Sequence, residues 1–286
     1  MASEHLTWRR SRPLWFRLPR LLRIGWIFAS VCFAPWQRRW TLTPEHIRVL
    51  LLVRDIHSPL PPLVESLLQQ GILPQHIFLL DSGSTNTACL ATLAALEQTG
   101  CRRIRLSPPE QRFGPYVPWL SPQLNAMIRS WNYPYLVSDP DLAFPATIPS
   151  DWLFQLFDML NKHRSVLKVA LPLAISDITV QNSHSIKLHE VALSRQPAYR
   201  LLSHFLLGPK SESLICTTDT TLALYRPSPL FSTFSIRLPL RYAITHLPWY
   251  DKFCSTPEFH YYQSHKLSLF GEWSSIQQVP PLGLRD

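Results

Sequence analysis

Glycine is scarce in this chain, with 8 among 286 residues against 27 prolines. No Gly-x-Gly-x-x-Gly follows a strand, and no Gly-x4-Gly-Lys-Ser/Thr occurs. Both absences argue against a dinucleotide fold of the usual kind and against a P-loop. Cysteine is also sparse: Cys32, Cys89, Cys101, Cys216 and Cys254 are scattered, odd in number and without Cys-x-x-Cys spacing. That excludes a disulfide framework and a cysteine zinc site, and it suits a reducing compartment. Disorder is excluded by composition, since 46% of residues are hydrophobic and 10 Trp and 14 Phe are present. The length suffices for one large domain with a full core, or two small ones.

The net charge of +9 is unevenly spread. Residues 1–41 hold Arg9, Arg10, Arg12, Arg17, Arg20, Arg23, Arg38 and Arg39 against one acid, Glu4, and so supply +7 of it. The remainder is near neutral, so a nucleic acid is not an expected partner of the body. Between the arginines runs Ile24–Ala34, which is 11 residues long; a span needs about 20. Trp8, Trp15, Trp26, Trp36 and Trp40 punctuate the segment. Cations meet anionic headgroups and aromatic rings settle at the lipid boundary, so residues 1–41 read as a membrane-surface anchor. Packing against the body or a partner is the alternative. A secretory signal fits poorly, because Pro35-Trp36 is a bad cleavage site. The expected location is cytoplasmic, peripheral at the inner face of the cell membrane.

Tyr135-Leu-Val-Ser-Asp-Pro-Asp141 is the most informative stretch. A short apolar run ends in two aspartates one residue apart. Alternate residues of an extended chain point the same way, so Asp139 and Asp141 converge. Two convergent carboxylates suit Mg²⁺ or Mn²⁺ and hence a phosphate-bearing ligand. The alternative is a strand end closed by a turn-forming Asp-Pro-Asp.

From residue 47 strands and helices alternate. Strands are expected at Ile47–Arg54, Ile77–Asp81, Ile104–Leu106, Tyr135–Ser138 and Lys168–Ile175. Helices are expected over Leu60–Gln70 before Gly71, from a Ser84 cap through Glu97 to Gly100, over Pro122–Trp131, and over Asp151–His163 after a Ser150 cap. This βαβ order implies an α/β fold with a parallel sheet and helices on both faces. Ligands of such sheets bind beyond the carboxyl ends of strands, where Asp81 and Asp139/Asp141 both fall. After residue 176 the alternation decays: Leu188–Arg195 reads as helical and Ser213–Tyr225 as a strand or a hairpin around Asp219. Residues 42–286 read as one domain, with a nucleotide half over 42–145 and an acceptor half over 146–286.

These residues resemble the GT-A glycosyltransferases, close to the large family-two group. Leu80-Asp-Ser-Gly-Ser-Thr-Asn86 is similar to the Asp-Asp/Asn-Gly-Ser-Thr-Asp motif after the second strand, departing at Ser82 and Asn86. Arg112-Phe-Gly114 followed by Asn125 resembles the segment that closes over the nucleotide. Ser138-Asp-Pro-Asp141 resembles the D-x-D motif. Asp219-Thr-Thr-Leu-Ala-Leu-Tyr-Arg226 and His246-Leu-Pro-Trp-Tyr250 resemble motifs of a bacterial subset. The resemblance covers roughly residues 45–251. It implies a metal-dependent, inverting hexosyltransferase in polysaccharide biosynthesis, using Mn²⁺ or Mg²⁺. The implied donor is a nucleotide-diphospho-sugar and the acceptor a glycan, a lipid-linked glycan or a protein.

It further implies nucleotide contacts from Asp81, Ser84, Asn125 and Asp139, and metal ligation by Asp139, Asp141 and His246. His246 is otherwise a structural histidine beside Trp249. A base within reach of the acceptor hydroxyl is sought in Asp219 and Glu190, then Asp177. Arg54 and Arg226 are candidates for phosphate or for ordinary salt bridges. A degenerate, non-catalytic domain and a nucleotidyltransferase-like enzyme are the competing classes; Arg54–Leu60 lacks the glycine that the latter usually carries.

Overall fold

The computed structural model describes residues 39–180, 184, 186–187, 190–191, 197–218, 221–228, 231 and 234–265. The anchor segment up to Arg38 and the candidate base Asp219 lie outside them.

The first half of the chain winds β1 (Arg48–Val53), α1 (Leu60–Leu68), β2 (Ile77–Asp81), α2 (Thr87–Gln98) and β3 (Arg102–Arg105). It continues through α3 (Pro108–Gln111), α4 (Val117–Leu120), α5 (Pro122–Trp131) and β4 (Tyr135–Ser138). Then come β5 (Leu142–Ala143), α6 (Trp152–Lys162), β6 (Lys168–Ala170), α7 (Pro197–Leu207), β7 (Leu214–Thr217), β8 (Ala223–Tyr225) and β9 (Phe234–Arg237). The chain finishes with β10 (Thr245–His246), α8 (Asp251–Cys254) and α9 (Pro257–His265).

Eight strands form one sheet in the order β3-β2-β1-β4-β8-β6-β9-β7, and β5 and β10 form a separate ribbon. In β1, side chains alternate between two cores. Val49, Leu51 and Val53 pack with Leu63 of α1, Leu93 of α2 and Leu156 of α6. Leu50 packs on the other face with Trp119, Leu124 and Ile128 of α4 and α5. Helices therefore cover both faces, which is why the strand reads as an unbroken apolar run. The α/β expectation holds.

Several expectations change. β1 pairs in parallel with β2 and β4, and β2 with β3. Beyond β4 the sheet turns mixed: β8 runs antiparallel to both β4 and β6, and β7 antiparallel to β9. The stretch 213–225 is therefore no hairpin, because β6 and β9 stand between β7 and β8. β3 begins two residues earlier than its apolar residues suggest, because it is an edge strand with Arg102 and Arg105 outward. Asn86, rather than Ser84, caps α2, accepting from the Ala88 and Cys89 amides. Asp151, rather than Ser150, stands at the start of α6, and its side chain makes no cap bond.

Trp40, counted above with the amino-terminal segment, packs on the body. Its amide donates to Asn161 Oδ1 at 3.2 Å, its indole N–H reaches the Asn132 carbonyl at 3.2 Å, and the Arg226 guanidinium lies 5.4 Å from its ring centroid. Among the described residues no helix is long and apolar enough to cross a membrane.

Candidate functional site

β2 lies on one side of β1 and β4 on the other, so the chain reverses direction across the sheet at β1. That reversal opens a crevice at the carboxyl ends of β1, β2 and β4. Asp55, Asp81, Asp139 and Asp141 follow or end those three strands.

Asp55 was not anticipated. It is fully buried and adopts φ +52°, a conformation that aspartate tolerates better than most residues. Its Oδ1 accepts the Thr85 amide at 2.6 Å and the Asn86 amide at 2.8 Å. Its own amide donates to Ser84 Oγ at 3.1 Å, while Oδ2 has no hydrogen-bond partner. The signal was present, since Asp55 stands just past an apolar strand as Asp81 ends one. It was overlooked within a loop judged for its lack of glycine.

Asp81 serves the scaffold. Its Oδ1 accepts the Ser84 amide at 2.8 Å. Its Oδ2 accepts both Arg103 Nε at 3.1 Å and Nη2 at 2.6 Å, a buried, charge-assisted pair. Ser84 thus joins Asp55 to Asp81. Asn125 sits on the first turn of α5 and donates to the Trp119 carbonyl at 3.2 Å, bracing the α4–α5 turn.

The D-x-D expectation places Asp141 beside His246. Asp141 immediately precedes β5, and β5 pairs Leu142 with His246 of β10. The Leu247 amide donates to the Asp141 carbonyl at 2.9 Å. The ribbon sets Asp141 Oδ1 3.7 Å from His246 Nε2, with both side chains under one-fifth exposed. The imidazole also meets the Trp249 ring edge-on at 4.9 Å. Neither Asp141 Oδ1 nor His246 Nδ1 has a hydrogen-bond partner. Among the described residues no three His, Cys, Asp or Glu gather closely enough to enclose a metal ion, so Asp139 does not complete a cluster with this pair.

α9 closes over the crevice. Glu258 Oε1 accepts the Ser58 amide at 2.8 Å and the His57 amide, and lies 2.9 Å from His57 Nδ1. The Tyr261 hydroxyl donates to Thr85 Oγ1 at 3.1 Å. Arg54 donates to the Ser82 carbonyl and, at 3.2 Å, to the His265 carbonyl. Burial, then the nearby charges of Asp141, Asp139 and Asp55, push the Tyr262 phenol well above its ordinary range. Nothing in the local sequence announced α9, whose residues show no apolar stripe.

In the second half, β9 runs parallel to β6, and β6 runs parallel to β4 across the antiparallel β8. The carboxyl end of β9 therefore opens on the same rim. There Arg237 Nη1 meets Glu190 Oε2 at 2.5 Å and Nη2 donates to the Thr217 carbonyl at 3.0 Å. Asp177 accepts the Tyr250 hydroxyl at 2.8 Å. Burial, followed by the Asp177 bond, pushes that phenol up to about 12. Arg226 takes neither role proposed for it. It donates to the carbonyls of Val166, Leu160 and His163, closing the end of α6. Burial pushes the Cys89 and Cys216 thiols up to about 11, so neither supplies a thiolate nucleophile near neutral pH.

No family profile and no curated protein matches this chain. Solved structures do. One is glucosyl-3-phosphoglycerate synthase from Mycobacterium tuberculosis in complex with Mn²⁺, UDP-glucose and glycerol 3-phosphate. It is 16% identical, with a TM-score of 0.35, over 67% of this chain and 63% of that one. Another is a mannosyltransferase from Pyrobaculum calidifontis in complex with GDP-mannose and Mn²⁺. It is 12% identical, with a TM-score of 0.35, over 71% of this chain and 54% of that one. The match thus spans less than two thirds of either protein's length. Likeness at this level assigns neither substrate nor activity.

Proposed function

We propose that this chain is a metal-dependent glycosyltransferase of the GT-A type, moving a hexose from a nucleotide-diphospho-sugar to a hydroxyl acceptor. The observation that carries the reading is the crevice between β1 and β4. Asp55, Asp81 and Asp139/Asp141 follow or end three adjacent strands there, and Asp141 lies within 3.7 Å of His246. The approach of Asp141 Oδ1 to His246 Nε2 suits a cation held by carboxylate and imidazole. That donor set favours Mn²⁺ over Mg²⁺. When bound, such an ion stabilises negative charge on the leaving phosphate.

The chain's own residues would do the rest. Buried Asp55, through the Thr85 and Asn86 amides, and Asp81, through Ser84, would hold the loop against which the nucleoside lies. Asp139 would contact the metal or the ribose. Tyr262, its proton retained, offers a hydroxyl donor to phosphate oxygens from α9. Glu190, paired with Arg237, and Asp219 are the candidates to take the acceptor's proton in an inverting transfer. The acceptor is a glycan, a lipid-linked glycan or a protein, as in polysaccharide assembly at the inner membrane face. The segment ahead of Trp40, which itself packs on the body, would contribute an anchor by placing cations and tryptophans at an anionic surface, each cation being worth about 1 kcal/mol.

The test is a panel of nucleotide-sugars incubated with the full chain, with and without Mn²⁺. Mn²⁺-dependent release of a nucleoside diphosphate supports an active transferase. Mn²⁺-dependent binding without release at any acceptor supports a binding domain without turnover. Release of pyrophosphate would instead support a nucleotidyltransferase.

A further inference from the structure

We infer that the outward face of α7 docks on an anionic lipid bilayer. Among the described residues four large apolar side chains are more than half exposed: Phe154, Leu201, Phe205 and Leu240. Leu201 and Phe205 lie on α7 at the β7 edge of the sheet, and Leu240 follows β9, the strand beside β7. α7 packs there through Leu202, Ser203 and Tyr199. Ser203 Oγ accepts the Ile215 amide at 2.8 Å, and the Tyr199 ring meets Phe234 at 5.6 Å. Leu201 and Phe205 stand one turn apart on the outward face, 71% and 75% exposed. Arg200 and His204, also one turn apart and exposed, run alongside them.

No acid occurs from Pro197 to Ser211, whereas Arg200 and Lys210 both face solvent. The first acid, Glu212, is already paired with Arg241. That pair ties the turn holding Leu240, 71% exposed, to the segment between α7 and β7. Isolated exposed leucines mean little, but three large apolar side chains flanked by cations form a patch. A lipid interface takes up both halves of this pattern: rings and branched chains enter the acyl boundary while cations stay with anionic headgroups. The inference does not depend on the glycosyltransferase reading.

The test uses the full chain, so the amino-terminal segment is constant. Sedimentation with phosphatidylglycerol-containing vesicles compares the unchanged chain with L201S/F205S and with R200Q/K210Q. All these positions are exposed, so melting temperatures should not move. Partitioning is expected to fall roughly tenfold or more for L201S/F205S. It should fall less for R200Q/K210Q, with a weaker salt dependence. Amide exchange over 197–207 should slow when vesicles are added. Equal partitioning of L201S/F205S with no slowing in α7 would overturn the inference. So would slowing that rises with protein concentration without lipid and accompanies a doubled mass, which would assign the face to a second copy of the chain.

Discussion

Asp141 Oδ1 and His246 Nε2 lie 3.7 Å apart although 105 positions separate them in the chain. The two-residue ribbon that pairs Leu142 with His246 is what joins them. If they share a divalent cation, His246→Ala should lower Mn²⁺ affinity by more than the roughly ten- to hundredfold typical of outer-shell partners. Metal-free nucleotide affinity should change much less. Calorimetric titration with MnCl₂ measures the first and titration with the nucleotide in the presence of a chelator the second, and a metal-bound structure with the ring beyond about 3 Å from the ion would reject ligation.

Arg103 and Asp81 form an ion pair whose side chains are 6% and 4% exposed. Arg103→Met leaves a buried carboxylate with no countercharge, a change that costs about 3–5 kcal/mol. Urea unfolding should show this loss, and adding Asp81→Asn should recover part of it. A loss below about 1 kcal/mol would mean that the pair is better solvated than its burial implies.

Gly83 holds φ +81° in the loop that Asp55 and Asp81 brace. A Cβ there would stand 2.8 Å from the Gln111 amide, but that amide ends a flexible side chain and can withdraw. The conformation is then the main cost, and Gly83→Ala should lose about 1–3 kcal/mol. Gly83→Asn should lose less, because asparagine tolerates the left-handed region. Equal losses for the two variants would point to crowding rather than conformation.

His163 is held below its ordinary value of about 6.5, first by burial and then by Lys162. The unfolded chain therefore takes up this proton before the folded one does. The stabilisation is fully present above about pH 6.5 and is lost as pH falls from there through the lower folded value. His163→Gln should flatten the melting-temperature profile between about pH 7.5 and 5.5. An unchanged slope would place the acid sensitivity elsewhere.

How much of this was legible follows from which forces are local. β2, β4 and α5 fall where expected because each is a local pattern ended by a local signal: Asp81, Ser138 before Asp-Pro-Asp, and the Ser121 cap. Strand order is not local. The run to Tyr225 looks like half a hairpin, yet Ala223–Tyr225 pairs with β4 and β6. The D-x-D and late-histidine motifs were visible one by one, while their meeting depends on the β5–β10 ribbon. Asp55 and α9 were missed because burial of a loop aspartate and the docking of a polar helix are tertiary facts without a periodic signature. Trp40 was grouped with a lipid-facing segment by composition, whereas its packing is decided by Asn161 and Arg226.

The central claim is a cation-dependent nucleotide-sugar site at Asp141. Its most direct test is the thermal shift of the full chain with a nucleoside diphosphate, with and without Mn²⁺, repeated on Asp141→Ala. The account predicts a Mn²⁺-dependent rise in melting temperature for the unchanged chain. For Asp141→Ala it predicts no such rise, with the unliganded melting temperature preserved. An undiminished Mn²⁺-dependent shift in Asp141→Ala would contradict it.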